Sequence, residues 1–217
     1  MTNEEVEAQR LALQNALKKV GESIGKVTIG KKSQFPYGWR KAAKGRTVWR
    51  ILEEAVSQNL EKNKEKFGFQ SVTPADSEVG IYDFKGKIEA TEDEFYVNIK
   101  SAVAGKKASK DDISKADKIS TFLKDNPSAN LYIATFIIDF DDDDMGVIIK
   151  DAVVAPISWI PDVYVNPSNN GNLQSSKCKE LDSLIKRTNS DFVKILDKEI
   201  QNSHAKKTRK VNVKKKT

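Results

Sequence analysis

The run LYIATFIIDF, Leu131 to Phe140, constrains this chain more than any other segment. It has strand length, is rich in β-branched and aromatic residues and is almost uninterrupted by polar groups. A strand with one wet face alternates apolar and polar residues, whereas a continuous apolar run needs cover on both faces. Asp141 to Asp144 and Gly146 supply the turn that follows, and VIIKDAVVAPI, residues 147–157, reads as a second strand. The four aspartates read as a solvated turn, because they lack the spacing of an EF-hand loop.

Cover for the sheet comes from helical periodicity. Residues 3–20 place Val6, Leu11, Leu13, Leu17 and Val20 roughly on one side. Residues 25–46 are basic and glycine-punctuated, and read as a loop. Thr47 is the expected N-cap of a helix running to about Lys66, with Val48, Ile51, Leu52, Ala55 and Val56 as its stripe and Gly68 as its stop. Ser109, with Asp112 three residues on, predicts another helix to Asp125, broken by Asn126 and Pro127. Residues 161–176 read as loop, and a last helix is expected over roughly 178–202. This order predicts an α/β fold, a mixed β-sheet sandwiched by helices, in one domain over residues 1–203. Residues 204–217 form a basic tail expected to be flexible.

Composition removes several function classes. The single cysteine, Cys178, excludes an internal disulfide framework and gives no zinc spacing. The only histidine, His204, sits in the basic tail, which argues against Ser/His/Asp or Cys/His catalysis. Neither GxxxxGK[ST] nor GxGxxG occurs. Without an apolar run of transmembrane length or a secretory signal, no membrane association and a cytoplasmic location are expected.

The net charge of +6 is divided unevenly. Lys26, Lys31, Lys32, Arg40, Lys41, Lys44, Arg46 and Arg50 fall in a stretch without an acidic residue, interleaved with Phe35, Tyr37, Trp39 and Trp49. Lys206, Lys207, Arg209, Lys210, Lys214, Lys215 and Lys216 repeat the pattern at the C-terminus. Two cationic segments in an otherwise acidic chain suit a polyanion, and aromatic groups beside cations suit nucleic acid.

The segment IYDFKGKIEATEDEFYVNIKSAV, Ile81 to Val103, carries the chemistry. It reads as two strands joined by an acidic turn, with Asp83 on the first, and Asn98 and Lys100 on the second. Alternation puts Asn98 and Lys100 on one face, and Phe95, Val97 and Ile99 on the other. A carboxylate followed by [acid or amide]-x-Lys on an apolar strand suits a metal-dependent phosphodiesterase, with hard oxygen ligands for the metal and an ammonium for the attacking water. Glu53 and Glu54, on the preceding helix, are further candidate carboxylates.

The phrases LEEAV (residues 52–56), YDF (82–84) and YVNIKS (96–101) resemble those of type II restriction endonucleases of the PD-(D/E)xK nuclease superfamily. The resemblance spans roughly Gly45 to Val103 and favours Glu53 over Glu54. It implies a catalytic set of Glu53, Asp83, Asn98 and Lys100. It further implies Mg²⁺ held by Asp83, the Ile99 carbonyl, Asn98 and Glu53, and a homodimer acting on double-stranded DNA in a prokaryotic cytoplasm. Asn98 departs from the usual acid; an amide offers an oxygen but no charge. A rival register takes Asp76 or Glu78 with Asp83-Phe84-Lys85.

Expected DNA contacts are Arg40, Lys41, Lys44, Arg46, Arg50 and Ser101, with Asn170, Asn172 and Gln174 of the uncharged segment 165–176. Tyr37 and Trp39 are each either core or a wedge for a base step. The other functional readings are a structure-specific or repair nuclease of the same superfamily, and a non-catalytic nucleic-acid-binding protein.

Overall fold

The computed structural model describes residues 2–40, 44–76, 80–91, 93–105, 110–168 and 170–214. Its elements in chain order are α1 (Asn3–Ile24), β1 (Lys26–Thr28), α2 (Lys44–Asn63), β2 (Phe69–Pro74), β3 (Phe84–Ile88), β4 (Phe95–Val103) and β5 (Asp111–Lys115). They continue as α3 (Ala116–Asp125), β6 (Asn130–Asp141), β7 (Gly146–Pro156), β8 (Tyr164–Val165), β9 (Asn172–Ser175) and α4 (Asn189–Lys214). Six strands form one sheet in the order β1-β7-β6-β4-β3-β2, and β5-β9-β8 form a second, small sheet. Only β4 and β6 run parallel in the large sheet.

The apolar run behaves as its composition requires. Tyr132, Ala134, Phe136 and Ile138 of β6 enter one core with Leu13, Leu17, Val48, Leu52 and Val56 of α1 and α2. Leu131 and Ile133 enter a second core with Ile119 and Leu123 of α3 and Phe192 and Leu196 of α4. Helices therefore cover both faces of a mixed sheet, as the sequence predicts.

Side-chain hydrogen bonds fix the first helix at both levels. Thr2 and Glu5 make a reciprocal capping box at its start. Gln9, fully buried, donates to the Thr91 hydroxyl and the Asp93 carbonyl, and accepts from Asn130 and the Tyr132 hydroxyl. A buried amide whose donors and acceptor are all used ties α1 to β6 and to the turn between β3 and β4.

Several local expectations are corrected. α2 starts at Lys44, so Thr47 lies inside its first turns, and a 3₁₀ turn at Glu65–Phe67 separates it from Gly68, which adopts φ +79°. The helix expected from Ser109 begins only at Ala116; Asp111–Lys115 instead pair with β9. Ser109 itself lies outside the described residues. Residues 161–176 are not all loop, since Tyr164–Val165 and Asn172–Ser175 are strands. Strands of two and four residues carry too little periodicity to announce themselves, and they exist because each finds a partner in space.

The last helix starts at Asn189 rather than near 178. A 3₁₀ turn at Leu181–Ser183 comes first, and the residues after it are held by Trp159, whose carbonyl accepts from the Ile185 amide and whose indole donates to the Arg187 carbonyl. Thr188 and Asp191 then cap the helix. It continues through the basic segment to Lys214.

Candidate active site

The site forms where β3 leaves β4. The two strands pair only from Phe84↔Val97 to Gly86↔Phe95. Beyond that point the Asp83 amide still donates to the Val97 carbonyl at 2.7 Å, but the next β4 amide is taken by a side chain. The Ile99 N–H donates to the Asp83 carboxylate at 2.5 Å. Amide and carbonyl of one strand residue point to the same side. The Ile99 carbonyl is therefore directed to the strand edge that carries Asp83.

Gly86 makes this hairpin possible. A Cβ there would stand 2.2 Å from the Ser71 carbonyl oxygen of β2, so only glycine lets the three strands meet.

β4 alternates as read. Phe95, Val97 and Ile99 are fully buried under α2, while Asn98 and Lys100 fall on the other face. Asn98 is only 5% exposed. Its amide donates to the Ile81 carbonyl at 3.0 Å, which straps the chain entering at Ile81 onto β4. Its Oδ1 has no hydrogen-bond partner, an orphan oxygen in a buried position.

α2 brings Glu53 to the same place. Its side chain is 13% exposed. Burial, then the negative charge of Asp83, push its carboxyl up to about 7, while Lys100 and Arg50 act in the opposite sense. Burial also raises Asp83 from its ordinary value, against the Ile99 hydrogen bond and the charges of Lys100 and Arg50. Two poorly hydrated carboxylates thus share one electrostatic environment with one lysine and one arginine. Arg50 stands 3.8 Å from Glu53 and lies over the Trp49 ring at 4.2 Å. Glu54 is exposed and accepts only from Gln58. Glu53 is the helix glutamate that reaches the cluster.

Of the rival register, the described residues do not form a cluster. Lys85 is 3.9 Å from Glu94, Asp76 is exposed, and Glu78 lies outside the described residues.

The donor set is one of oxygens. Among the described residues no three His, Cys, Asp or Glu side chains cluster as a metal site. What is present is a pair of carboxylates whose mutual repulsion a cation would relieve, a backbone carbonyl at the same edge and an unpartnered amide oxygen on the adjoining residue. All are hard oxygens, which fit Mg²⁺ and not a thiolate- or imidazole-seeking metal.

The expected DNA-contact residues are dispersed. Arg40 is exposed, 5.4 Å from the Tyr37 ring. Lys41 lies outside the described residues, and Lys44 and Arg46 fall in the first turn of α2. Ser101 is half-buried on β4, one residue past Lys100. Asn170 occupies a turn at φ +50°, and Asn172 opens β9. Gln174 is buried and donates to Asp112 at 2.6 Å, so its amide holds the small sheet together instead of projecting.

Trp39 belongs to the core, stacked edge-on to Phe140 with its indole donating to the Asp141 carbonyl. Tyr37 is 81% exposed. Sequence reasoning did not anticipate that Lys110 and Tyr164 meet beside the small sheet.

No family model matches this sequence, and no curated protein does. Among solved structures, the NlaIV restriction endonuclease is similar over 60% of this chain, with 16% sequence identity and a TM-score of 0.41. The aligned region is 52% of that protein, so this chain matches about half its length.

Proposed function

We propose that the protein is a Mg²⁺-dependent type II restriction endonuclease that hydrolyses phosphodiester bonds in double-stranded DNA. The observation that carries this reading is the meeting of Glu53 and Asp83, both raised by burial, with Lys100 at the edge that β3 vacates. A module that only binds nucleic acid has no use for two desolvated carboxylates facing its anionic ligand.

In this reading Asp83, Glu53 and the Ile99 carbonyl would hold Mg²⁺, with the Asn98 oxygen as the remaining donor. When bound, the ion neutralises charge on the scissile phosphate and lowers the pKa of its water. Lys100 orients the attacking water and offsets negative charge as it builds on the phosphate oxygens. Arg50 sits beside Glu53, where it draws the DNA backbone toward the carboxylates. Lys44 and Arg46 lie in the first turn of the same helix and add positive charge to that end of it. Cutting both strands of a palindromic site with one such cluster per chain calls for a two-fold dimer.

Plasmid DNA incubated with the protein and Mg²⁺ tests the reading. Discrete fragments support it. A uniform smear points to a nuclease without sequence readout, and intact plasmid across varied sequences and divalent ions overturns it.

A further inference from the structure

Two lysines from distant parts of the chain converge on one tyrosine. The Lys110 ammonium, just before β5, lies 3.9 Å from the Tyr164 ring centre, and that of Lys206, on α4, lies 5.9 Å away. Both lysines are exposed, and among the described residues neither has a carboxylate partner. Two ammonium groups drawn to one ring, neither paired with a carboxylate among the described residues, suit an anion, and the ring stabilises each of them.

The helix behind them points the same way. On α4 the buried stripe runs through Phe192, Leu196 and Ser203. Positions 206 and 207 continue that stripe at helical spacing, and both are lysine. The face that packs the helix against the domain thus turns basic where the apolar core ends. Residues 201–208, QNSHAKKT, contain no large apolar side chain, so this stretch of α4 offers nothing to insert into a bilayer. Its chemistry suits a string of phosphates.

We propose that Lys110 and Lys206, gathered around Tyr164, with Lys207 next to them on α4, form a second docking surface for the phosphate backbone of duplex DNA. It lies on the face of the sheet opposite α2. This deepens the nuclease reading by naming where the substrate runs beyond the reacting phosphate. It also stands on its own observation, because no residue of the carboxylate cluster takes part.

The test measures binding of a short duplex, without divalent cation, across a salt series. The proteins compared are wild type, a Lys110→Gln/Lys206→Gln/Lys207→Gln variant, and the matching triple arginine variant. Each lost phosphate contact lowers the log–log salt slope by about 0.9, so the glutamine variant's slope should be shallower by about 2–3. Its affinity at low salt should fall at least about tenfold, with the arginine variant close to wild type. A glutamine variant that matches wild type overturns the surface and leaves the nuclease reading intact. Wild type that binds no duplex overturns both. Loss of binding to phosphatidylserine vesicles, with duplex binding unchanged, overturns the proposal in favour of a membrane surface.

Discussion

The Asp83 carboxylate occupies the hydrogen-bonding position of a missing strand, accepting the Ile99 amide at 2.5 Å just past the last β3–β4 pair. A sheet edge ordinarily ends in unpaired backbone groups exposed to water. Here one of those groups fixes the rotamer of a half-buried acid, so β4 itself positions the side chain on which the proposed chemistry depends.

Removing that acid or its neighbouring ammonium separates chemistry from binding. Asp83→Ala and Lys100→Ala should each reduce DNA cleavage by at least about a thousandfold, since each removes a charge that acts on the transition state. Binding of the uncut duplex should survive in both. Gel shift and plasmid digestion on the same preparations check this, and unchanged fragment patterns in either variant would refute the site.

The two helix glutamates should differ in effect. Glu53→Gln should cost about a hundredfold or more in cleavage, and Glu54→Gln little, because only Glu53 shares its surroundings with Asp83 and Lys100. Single-turnover cleavage rates measure the difference. The reverse ranking would mean that the far flank of α2 faces the substrate.

Glu53 also makes the fold sensitive to pH. Its carboxyl titrates near 7 in the folded protein, so the folded state holds the proton more tightly than the unfolded chain does. Ionising Glu53 therefore works against folding. Its destabilising effect is absent below the ordinary carboxylate range, grows as pH rises toward 7 and is complete above it. Glu53→Gln should be more stable than wild type at pH 8 by at most about 3 kcal/mol, and equal to it near pH 4. Denaturant melts at the two pH values, without divalent ions, provide the comparison. With Mg²⁺ present, wild-type cleavage should rise with pH up to about 7 and then level, because an ionised Glu53 is the form that holds a cation.

Gly86→Ala should damage fold and site together. The added methyl would meet the Ser71 carbonyl at 2.2 Å, so β2 and β3 must part. A loss of about 2–3 kcal/mol or more follows, along with weakened cleavage, as the segment carrying Asp83 shifts. Thermal unfolding and digestion should report both effects. A variant with wild-type stability would show that the strands can relax without cost.

The sequence by itself determined the central layer and the chemical inventory. A continuous apolar strand could only lie between two layers of helix, and the alternation in FYVNIKSAV put Ile99 and Lys100 on opposite faces whatever surrounded them. Hard oxygens, one lysine and no usable histidine followed from composition. What only the tertiary structure decided were relations between segments far apart in the chain. Glu53 and Asp83 are thirty residues apart, and nothing local reveals that α2 brings one into the field of the other. The short strands β8 and β9 exist because β5 pairs with β9, which removed Gln174 from the surface and brought Lys110 to Tyr164. Periodicity is a property of neighbouring residues, whereas burial, field and pairing depend on what the fold places across the gap.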